Sequence, residues 1–345
     1  MPELYVGTYS KGENGGIFRC SYENGKLTVL DTTDVENPSY LCYSPDKKML
    51  YAASETRIFQ DQHGGAAAAL AVQEDGTLTL LNMIGTKGGA PCHVNTDAAR
   101  KFLFVANYGE GTATVFSLDK NGALLDDPAI IVHSGKGPNP FRQEKPHVHM
   151  TLRTPDGKYC LVNDLGIDQV RFYPITEEGL SEKDVVINTV PGGEGPRHAV
   201  FGKDGKTLYL VTEMGNQVFA YAYDNGKLTE INHASTLPED FSGRNTAAAV
   251  KISPDGKFVA ASNRGDDSVA VFRICENGGI LRVGIYSCDG QGPRDIEFTP
   301  DGSALLVANQ NSENITVLSF NKESGALAST GESLSLPRPV CLLWR

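Results

Sequence analysis

The sequence predicts an all-β fold, a seven-bladed β-propeller with four-stranded antiparallel blades, and three observations predict it. One short motif recurs about every 50 residues along the chain. Each repeat carries four short strand patterns separated by turns. The two ends of the chain supply complementary parts of one more repeat, so that we expect one blade to be closed by both termini.

In the recurring motif an Asp, usually preceded by Ser-Pro or Thr-Pro and followed by Gly, leads into an apolar run. Its copies are Ser44–Tyr51, Thr154–Leu161, Lys203–Tyr209, Ser253–Phe258 and Thr299–Leu305, with a degenerate copy from Asp97 to Phe104. An Asp-Gly turn between two apolar runs is typical of a β-hairpin. Because Asp side chains stabilise such turns, we expect the aspartates of the motif to be structural.

Two further strands follow each motif. In one repeat the alternating segment Val218–Tyr221 comes after the apolar run Leu208–Val211, and the Asn-Gly turn Asn225–Gly226 then leads to a short strand that opens on Leu228. Alternation with period two is the pattern of a half-buried strand. Each repeat therefore contains the four strands of a propeller blade.

The chain ends complete the set of blades. Residues 1 to about 30 contain the later strands of a repeat but lack its opening strand, and Leu336–Leu343 supplies one. The dipeptide Pro337-Arg338 in that segment matches Pro196-Arg197 and Pro293-Arg294, which open the same strand in other repeats. We therefore expect residues 1–345 to form a single β-propeller domain.

Composition excludes several classes of partner. The formal net charge of -11 argues against nucleic acid, and an anionic ligand would need a local cluster of Arg or Lys. No secretion signal is visible at the N-terminus, and no apolar run reaches the ~20 residues of a membrane helix. The seven cysteines are scattered, which indicates reduced thiols in a cytoplasmic protein without a disulfide framework. The oligomeric state stays open.

Two sets of equivalent positions stand out because equivalent residues of all blades surround one axis in a propeller. The first ring, seven residues before the motif aspartate, contains Ser39, Cys92, His149, Arg197, Ala248 and Arg294, and Arg338 joins it by motif match. The second ring, after the next strand, contains Tyr9 (placed by motif), Glu55, Tyr108, Leu165 or Asp164, Glu213, Arg264 and Gln310. If both rings face one mouth of the channel, His149, Arg197, Glu213, Arg264 and Arg294 converge. The alternative is that Arg197 and Glu213 form only a structural ion pair.

The remaining histidines carry less information. His63, His133 and His233 have no evident partner in the sequence, and we expect them at the surface. His147 and His149 are two residues apart and share a face of a strand. Without a third ligand the pair is weak evidence for a metal, so we expect neither a metal nor a cofactor.

Several motifs resemble those of a known family, the bacterial seven-bladed propeller lactonases, which include 6-phosphogluconolactonase and are related to the fungal carboxymuconate lactonizing enzyme. These motifs are Gly137–Pro140, Arg142–Glu144, Pro146–His149, Asn163–Asp168, Gly195–His198, Thr212-Glu213, Ser262–Gly265, Gly292–Arg294 and Ala308–Gln310. The resemblance implies a catalytic set of His149, Arg197 and Glu213, with Arg264 and Arg294 as substrate-binding residues. Arg142, His147 and His198 are further candidates for substrate binding.

The resemblance also implies hydrolysis of a sugar-acid lactone, with 6-phosphogluconolactone as the expected anionic substrate. Glu213 or His149 would activate water, Arg197 would stabilise the oxyanion, and the remaining arginines would hold a phosphate. One alternative is a lactonase or cyclase that acts on another lactone or on muconate. Another is a binding propeller without catalytic activity.

Overall fold

The computed structural model describes residues 1–12 and 15–345, and most of these residues lie in antiparallel strands. Strands of the first third are β1 (Glu3–Thr8), β2 (Ile17–Glu23), β3 (Lys26–Thr33), β4 (Pro38–Tyr43), β5 (Met49–Ser54), β6 (Ile58–Phe59), β7 (Gln62–His63), β8 (Ala66–Val72), β9 (Leu78–Gly85), β10 (Pro91–Thr96), β11 (Phe102–Asn107) and β12 (Thr112–Ser117). The middle third contains β13 (Ala129–Val132), β14 (Val148–Arg153), β15 (Tyr159–Asp164), β16 (Gln169–Thr176), β17 (Gly179–Leu180), β18 (Val186–Thr189), β19 (Pro196–Phe201), β20 (Thr207–Thr212), β21 (Gln217–Asp224) and β22 (Lys227–Ser235), with a 3₁₀ turn at Leu165–Ile167. The last third contains β23 (Thr246–Ile252), β24 (Phe258–Arg264), β25 (Ser268–Ile274), β26 (Ile280–Ser287), β27 (Pro293–Phe298), β28 (Ala304–Asn309), β29 (Asn314–Phe320), β30 (Leu327–Ser335) and β31 (Pro339–Trp344).

These strands form seven antiparallel sheets, the number that the repeats predict, and β6 and β7 form a separate hairpin. Six sheets have four strands, in the orders β4-β5-β8-β9, β10-β11-β12-β13, β19-β20-β21-β22, β23-β24-β25-β26, β27-β28-β29-β30 and β3-β2-β1-β31. The last of these combines both chain ends, as predicted. In the seventh sheet, β14-β15-β16, two short segments share the outer position, because β17 and β18 pair with different parts of the long strand β16.

The motif aspartates stabilise the hairpin turns between the first two strands of these sheets. In the turn between β23 and β24, Oδ1 of Asp255 accepts hydrogen bonds from Oγ of Ser253 (2.6 Å) and from the backbone N–H of Lys257 (3.1 Å). The Ser253 hydroxyl in turn accepts the N–H of Phe258. In the degenerate copy, Asp97 takes over by accepting backbone N–H groups of residues 99, 101 and 102. The prediction that these aspartates are structural is confirmed.

The hydrophobic core lies between the faces of consecutive sheets. One cluster joins β24 and β25 to β28 through side chains such as Phe258, Val271 and Leu305, all of which are fully buried. Other clusters join neighbouring sheets in the same way around Phe104, Phe116 and Phe272. Because each strand alternates its side chains between two faces, a sheet buries residues against both of its neighbours.

Two compact units can be distinguished by the contacts within them. The first unit comprises Met1–Val6, Cys20–Leu30 and Arg197–Trp344, and the second unit comprises Gly7–Arg19, Asp31–Pro196 and Arg345. The expectation of a single domain stays a prediction. No helical segment of the described residues is long and apolar enough to cross a membrane.

Candidate active site

A buried carboxylate clamped by two arginines lies in the first unit. Oε2 of Glu213 accepts hydrogen bonds from Nε of Arg197 (3.0 Å) and from Nη2 of Arg264 (2.9 Å). Glu213 is 4 % exposed and Arg197 is 2 % exposed, whereas the side chain of Arg264 is 17 % exposed. These three residues, called here the carboxylate–arginine cluster, come from two consecutive repeats and are in direct contact.

The strand ends and an irregular register position the cluster. Arg197 is the second residue of β19, Glu213 follows β20, and Arg264 ends β24. The pairing of β23 with β24 skips between Ala247 and Val250. A β-bulge of this kind leaves ladder groups unpaired, and the arginines use them: the carbonyl of Ala248 accepts Nη1 of Arg197 (2.7 Å), and the carbonyl of Ala247 accepts Nη2 of Arg264 (3.2 Å).

A glycine fixes the chain directly after Arg264. Gly265 has a φ of +136°, and a Cβ at this position would lie 2.2 Å from the carbonyl oxygen of Arg244. Only glycine fits such a position without moving backbone atoms. The turn that ends β24 at Arg264 therefore depends on the absence of a side chain at residue 265.

The electrostatics of the cluster are dominated by burial. Burial lowers the pKa of the Arg264 guanidinium to about 10; Glu213 opposes this shift, and the charges of Arg197 and Arg294 add to it. Arg264 therefore remains charged at neutral pH. Arg294, on β27, is half-buried and donates from Nη1 to Oε1 of Gln310 at 3.5 Å. Three arginines thus share one electrostatic environment around a single glutamate, which favours binding of an anion.

A second group of predicted site residues lies in the second unit and is organised by Tyr108. The ring of Tyr108 stacks on His147 with a centroid distance of 4.4 Å and meets the ring of His149 edge to face at 5.6 Å. Its hydroxyl accepts Nη2 of Arg142 at 3.4 Å. Tyr108 was present in the second ring of the sequence analysis but was not selected as a site residue. Its place in that ring, equivalent to the places of Glu213 and Arg264, was the signal that could have identified Tyr108.

Contacts within each unit follow the predicted rings. In the first ring, Sγ of Cys92 lies 3.8 Å from Nδ1 of His149. In the second ring, Tyr9 donates its hydroxyl to Glu55 at 2.7 Å, and Glu213 binds Arg264. Each pair consists of consecutive ring members, as expected for equivalent positions in neighbouring blades. His198 is buried on β19, next to Arg197 in the sequence, and its role stays a prediction.

The prediction that His133 lies at the surface is wrong. His133 is 4 % exposed; its Nδ1 lies 2.6 Å from Oδ2 of Asp164, and its Nε2 lies 2.9 Å from the hydroxyl of Tyr173. The other carboxylate oxygen of Asp164 accepts the backbone N–H groups of His147 and Gly166. This network ties the start of β14 to β15 and so fixes the backbone at His147. By contrast, His63 and His233 are exposed, as predicted.

No group of three or more His, Cys, Asp or Glu side chains within residues 1–12 and 15–345 is arranged to hold a metal ion. The carboxylate–arginine cluster supplies fixed guanidinium donors and a buried carboxylate, and the group around Tyr108 supplies imidazole rings. Such groups can bind an anion, stabilise an oxyanion and transfer protons.

Comparisons with known proteins cover nearly the whole chain. The family model described as "Lactonase, 7-bladed beta-propeller" matches residues 3–344. The chain is 35% identical to the 6-phosphogluconolactonase of Bacillus subtilis over 344 residues, which covers 98% of this chain and 97% of that protein. The fold class is thus the predicted seven-bladed β-propeller.

Two solved structures agree with this assignment. A Bacteroides fragilis protein, for which 6-phosphogluconolactonase is the suggested activity, has a TM-score of 0.92 at 35% identity and covers 100% of this chain and 98% of its own. The periplasmic gluconolactonase PpgL of Pseudomonas aeruginosa has a TM-score of 0.92 at 31% identity, with coverage of 99% and 98%. The chain therefore belongs to the family of seven-bladed β-propeller lactonases.

Proposed function

We propose that this lactonase hydrolyses 6-phosphogluconolactone to 6-phosphogluconate. The observation that carries the proposal is the carboxylate–arginine cluster, in which a buried glutamate orients two guanidinium groups beside a third, Arg294. In a chain with a formal net charge of -11, such a concentration of arginines favours an anionic substrate. The name of the Bacillus subtilis relative supports the phosphorylated lactone in particular.

Lactone hydrolysis makes three demands on the protein. Water must be activated, the carbonyl oxygen must be stabilised as it gains negative charge, and the ring oxygen must be protonated as it leaves. General acid–base catalysis by a carboxylate or an imidazole contributes typically ~10² to 10⁴-fold. Fixed cationic donors aimed at the developing oxyanion contribute a further ~10² to 10³-fold per donor.

In the proposed mechanism, Arg197 stabilises the oxyanion, and Glu213 or His149 accepts the proton of the attacking water. Arg197 is suited to this role because its bonds to Glu213 and to the carbonyl of Ala248 hold the guanidinium in one orientation. Arg264 and Arg294 are more accessible than Arg197 and bind the substrate. His147, His198 and Arg142 keep the substrate-binding role proposed from the sequence.

A second candidate is hydrolysis of an unphosphorylated sugar lactone. It is favoured by the Pseudomonas aeruginosa relative, whose name describes a gluconolactonase. That relative is also described as periplasmic, so the cytoplasmic location of the present chain is part of the proposal rather than a consequence of the fold.

A pH-stat assay, corrected for spontaneous hydrolysis, distinguishes these candidates. We expect saturable hydrolysis of 6-phosphogluconolactone with a kcat/KM at least ~10-fold above that for gluconolactone, because charge-assisted bonds to the phosphate add to binding. A preference for gluconolactone would support the second candidate. Failure to accelerate either reaction would refute lactonase activity on sugar lactones.

The same assay tests His149 with the variant His149→Ala. If the imidazole is the base, kcat falls by ~10² to 10⁴-fold. His233→Ala is a matched control, because His233 is exposed and pairs only locally with Glu230. An unchanged rate in His149→Ala would remove His149 from the mechanism and leave Glu213 as the candidate base.

A further inference from the structure

A pocket of about 380 Å³ in the second unit is lined by basic and aromatic side chains. The residues around it are Arg57, His63, Gly89, Tyr108, Gly109, Glu110, Phe141, Arg142, Glu144, Lys145 and His147. The volume lies in the range of pockets that bind small molecules. Two of the lining residues, Arg142 and His147, were predicted from the sequence to bind substrate.

The charges of this pocket do not cancel. Each of its two carboxylates is already engaged: Glu110 accepts the backbone N–H of Gly89 and approaches His63 at 3.5 Å, and Glu144 lies 3.2 Å from Nε2 of His147. Against these two carboxylates the pocket contains three permanent cations, Arg57, Arg142 and Lys145, so that its lining has a net charge of +1 with neutral histidines. Among the described residues, no ion pair involves Arg57 or Lys145. The pocket is therefore locally positive on a strongly acidic protein.

The loop that carries Arg142 and Lys145 is held in one conformation by hydrogen bonds of its own side chains. Gln143 is fully buried; its Nε2 donates to the carbonyl of Leu165 at 2.9 Å, and its Oε1 accepts the N–H of Asn139 at 3.1 Å. Oδ1 of Asn139 accepts the N–H groups of Phe141 and Arg142. Because these bonds fix the backbone on both sides of Arg142, the main chain of the loop has little conformational entropy left to lose on binding.

The walls of the pocket also offer apolar surface. Tyr108 and His147 stack with an interplanar angle of 19°, which makes one flat wall. Phe141 is 88 % exposed on the same loop, although a phenylalanine side chain normally gains free energy from burial. An exposed ring on an internally bonded loop at a charged pocket is well placed to cover the carbon skeleton of a bound ligand.

We propose that this pocket binds the phosphate group of a phosphomonoester, with Arg57, Arg142 and Lys145 as its ligands and Phe141 against the organic part. Three cations suit the two negative charges of a phosphate dianion better than they suit the single charge of a carboxylate. The forked donors of a guanidinium also fit the geometry of a phosphate. The inference deepens the function proposed above and rests on it in one respect, namely that the natural ligand is a phosphorylated sugar acid.

Direct binding tests the pocket independently of catalysis. Isothermal titration calorimetry of the full chain uses inorganic phosphate, 6-phosphogluconate and gluconate as probes. We expect binding of inorganic phosphate and tighter binding of 6-phosphogluconate at one site, with gluconate weaker by at least ~10-fold. Arg57→Ala and Lys145→Ala should each weaken binding of both phosphate compounds by about 10-fold, since each removes a charge-assisted contact.

The matched control is Lys120→Ala, at an exposed position in the turn after β12, at the opposite end of that strand from Tyr108 and Glu110. It should bind phosphate like the wild type. Because Arg57 and Lys145 are exposed, their alanine variants are expected to fold, which thermal unfolding checks. Phosphate binding that persists unchanged when Arg57→Ala and Lys145→Ala are combined would overturn the proposal. Equal affinity for gluconate and 6-phosphogluconate would do so too. A wild-type kcat/KM for 6-phosphogluconolactone in an Arg57→Ala/Lys145→Ala double variant that no longer binds phosphate would also overturn it, since the pocket would then not hold the phosphate of the substrate.

Discussion

The guanidinium of Arg197 is held in one orientation by the groups around it. It is almost completely buried, and its guanidinium donates to a carboxylate and to a backbone carbonyl that a β-bulge leaves available. A buried cation is tolerated only when its charge and its donors are satisfied. The sequence indicated Arg197 and Glu213 because both occupy ring positions. It could not indicate the carbonyl of Ala248, because that acceptor arises from a register shift.

We predict that Arg197→Lys lowers kcat/KM for the lactone by ~10² to 10³-fold while the protein remains folded. An ammonium group keeps the charge but cannot make both bonds with the fixed geometry of a guanidinium. Arg282→Lys provides the control, since Arg282 also binds backbone carbonyls in the first unit but lies outside the cluster. Equal activity of Arg197→Lys and the wild type would mean that Arg197 serves only packing and charge balance.

His133 makes a contact whose positions repeat along the chain although its residue types do not. It directly follows the outer strand of its sheet, and its partner Asp164 ends β15, 31 residues further along the chain. Thr236 and Asn263 occupy the corresponding positions of another pair of neighbouring sheets, where the hydroxyl of Thr236 donates to Oδ1 of Asn263 at 2.7 Å. The two positions could be aligned from the sequence, whereas the contact could not be predicted, because a His–Asp pair and a Thr–Asn pair share no residue type.

At the scale of single elements, the turn after β24 controls the position of Arg264. Gly265 lies against the backbone of Arg244 and Asn245 in a conformation that L-residues rarely adopt. We predict that Gly265→Ala costs about 1–3 kcal/mol of stability and lowers kcat/KM, because the turn must shift and carry Arg264 with it. Chemical denaturation and the lactone assay measure the two effects.

Gly25→Ala is the matched control for this prediction. Gly25 has a φ of +85°, but nothing lies within 4 Å of the Cβ that alanine would add. It should therefore show only the modest cost of a positive φ and keep wild-type kcat/KM. If both variants behave alike, the close approach at Gly265 has no bearing on the site.

The order of strands was predictable at this scale, and one exception is informative. The repeats predicted four strands per blade, and six sheets have them. In the sheet that begins with β14, the outer position is divided between β17 and β18. The segment between them, residues 181–185, contains three charged residues and no sustained alternation. A strand boundary there depends on tertiary pairing rather than on local pattern.

Across the molecule, the repeat determines which residues share an environment, and it also brings acidic side chains into the interior. Lys251 forms ion pairs with Asp295 and Glu297 on β27. Its Nζ lies 3.6 Å from Oδ1 of Asp295 and 2.7 Å from Oε2 of Glu297. Oδ2 of Asp295 accepts the N–H of Leu342 on β31, the C-terminal strand of the shared sheet. Burial raises the pKa of Asp295, and Lys251 only partly offsets this effect.

We predict that Asp295→Asn becomes more stable relative to the wild type as the pH rises. A folded-state pKa above the unfolded value of 3.8 means that the native protein holds this proton more tightly than the unfolded chain. The wild type therefore loses stability as the pH rises through the raised folded-state pKa of Asp295, and the variant lacks this contribution. Urea denaturation at pH 4, 6 and 8 gives the difference in unfolding free energy; a difference independent of pH would contradict the prediction.

The central claim is that the carboxylate–arginine cluster is the catalytic centre of a lactonase, and Glu213→Gln tests it most directly. The amide keeps the shape of the side chain but loses the charge that holds Arg197 and Arg264. The account predicts that kcat/KM for 6-phosphogluconolactone falls at least ~100-fold in protein whose circular dichroism matches the wild type, whereas Glu276→Gln, at an exposed loop position, changes nothing. Wild-type kcat/KM in folded Glu213→Gln would contradict it.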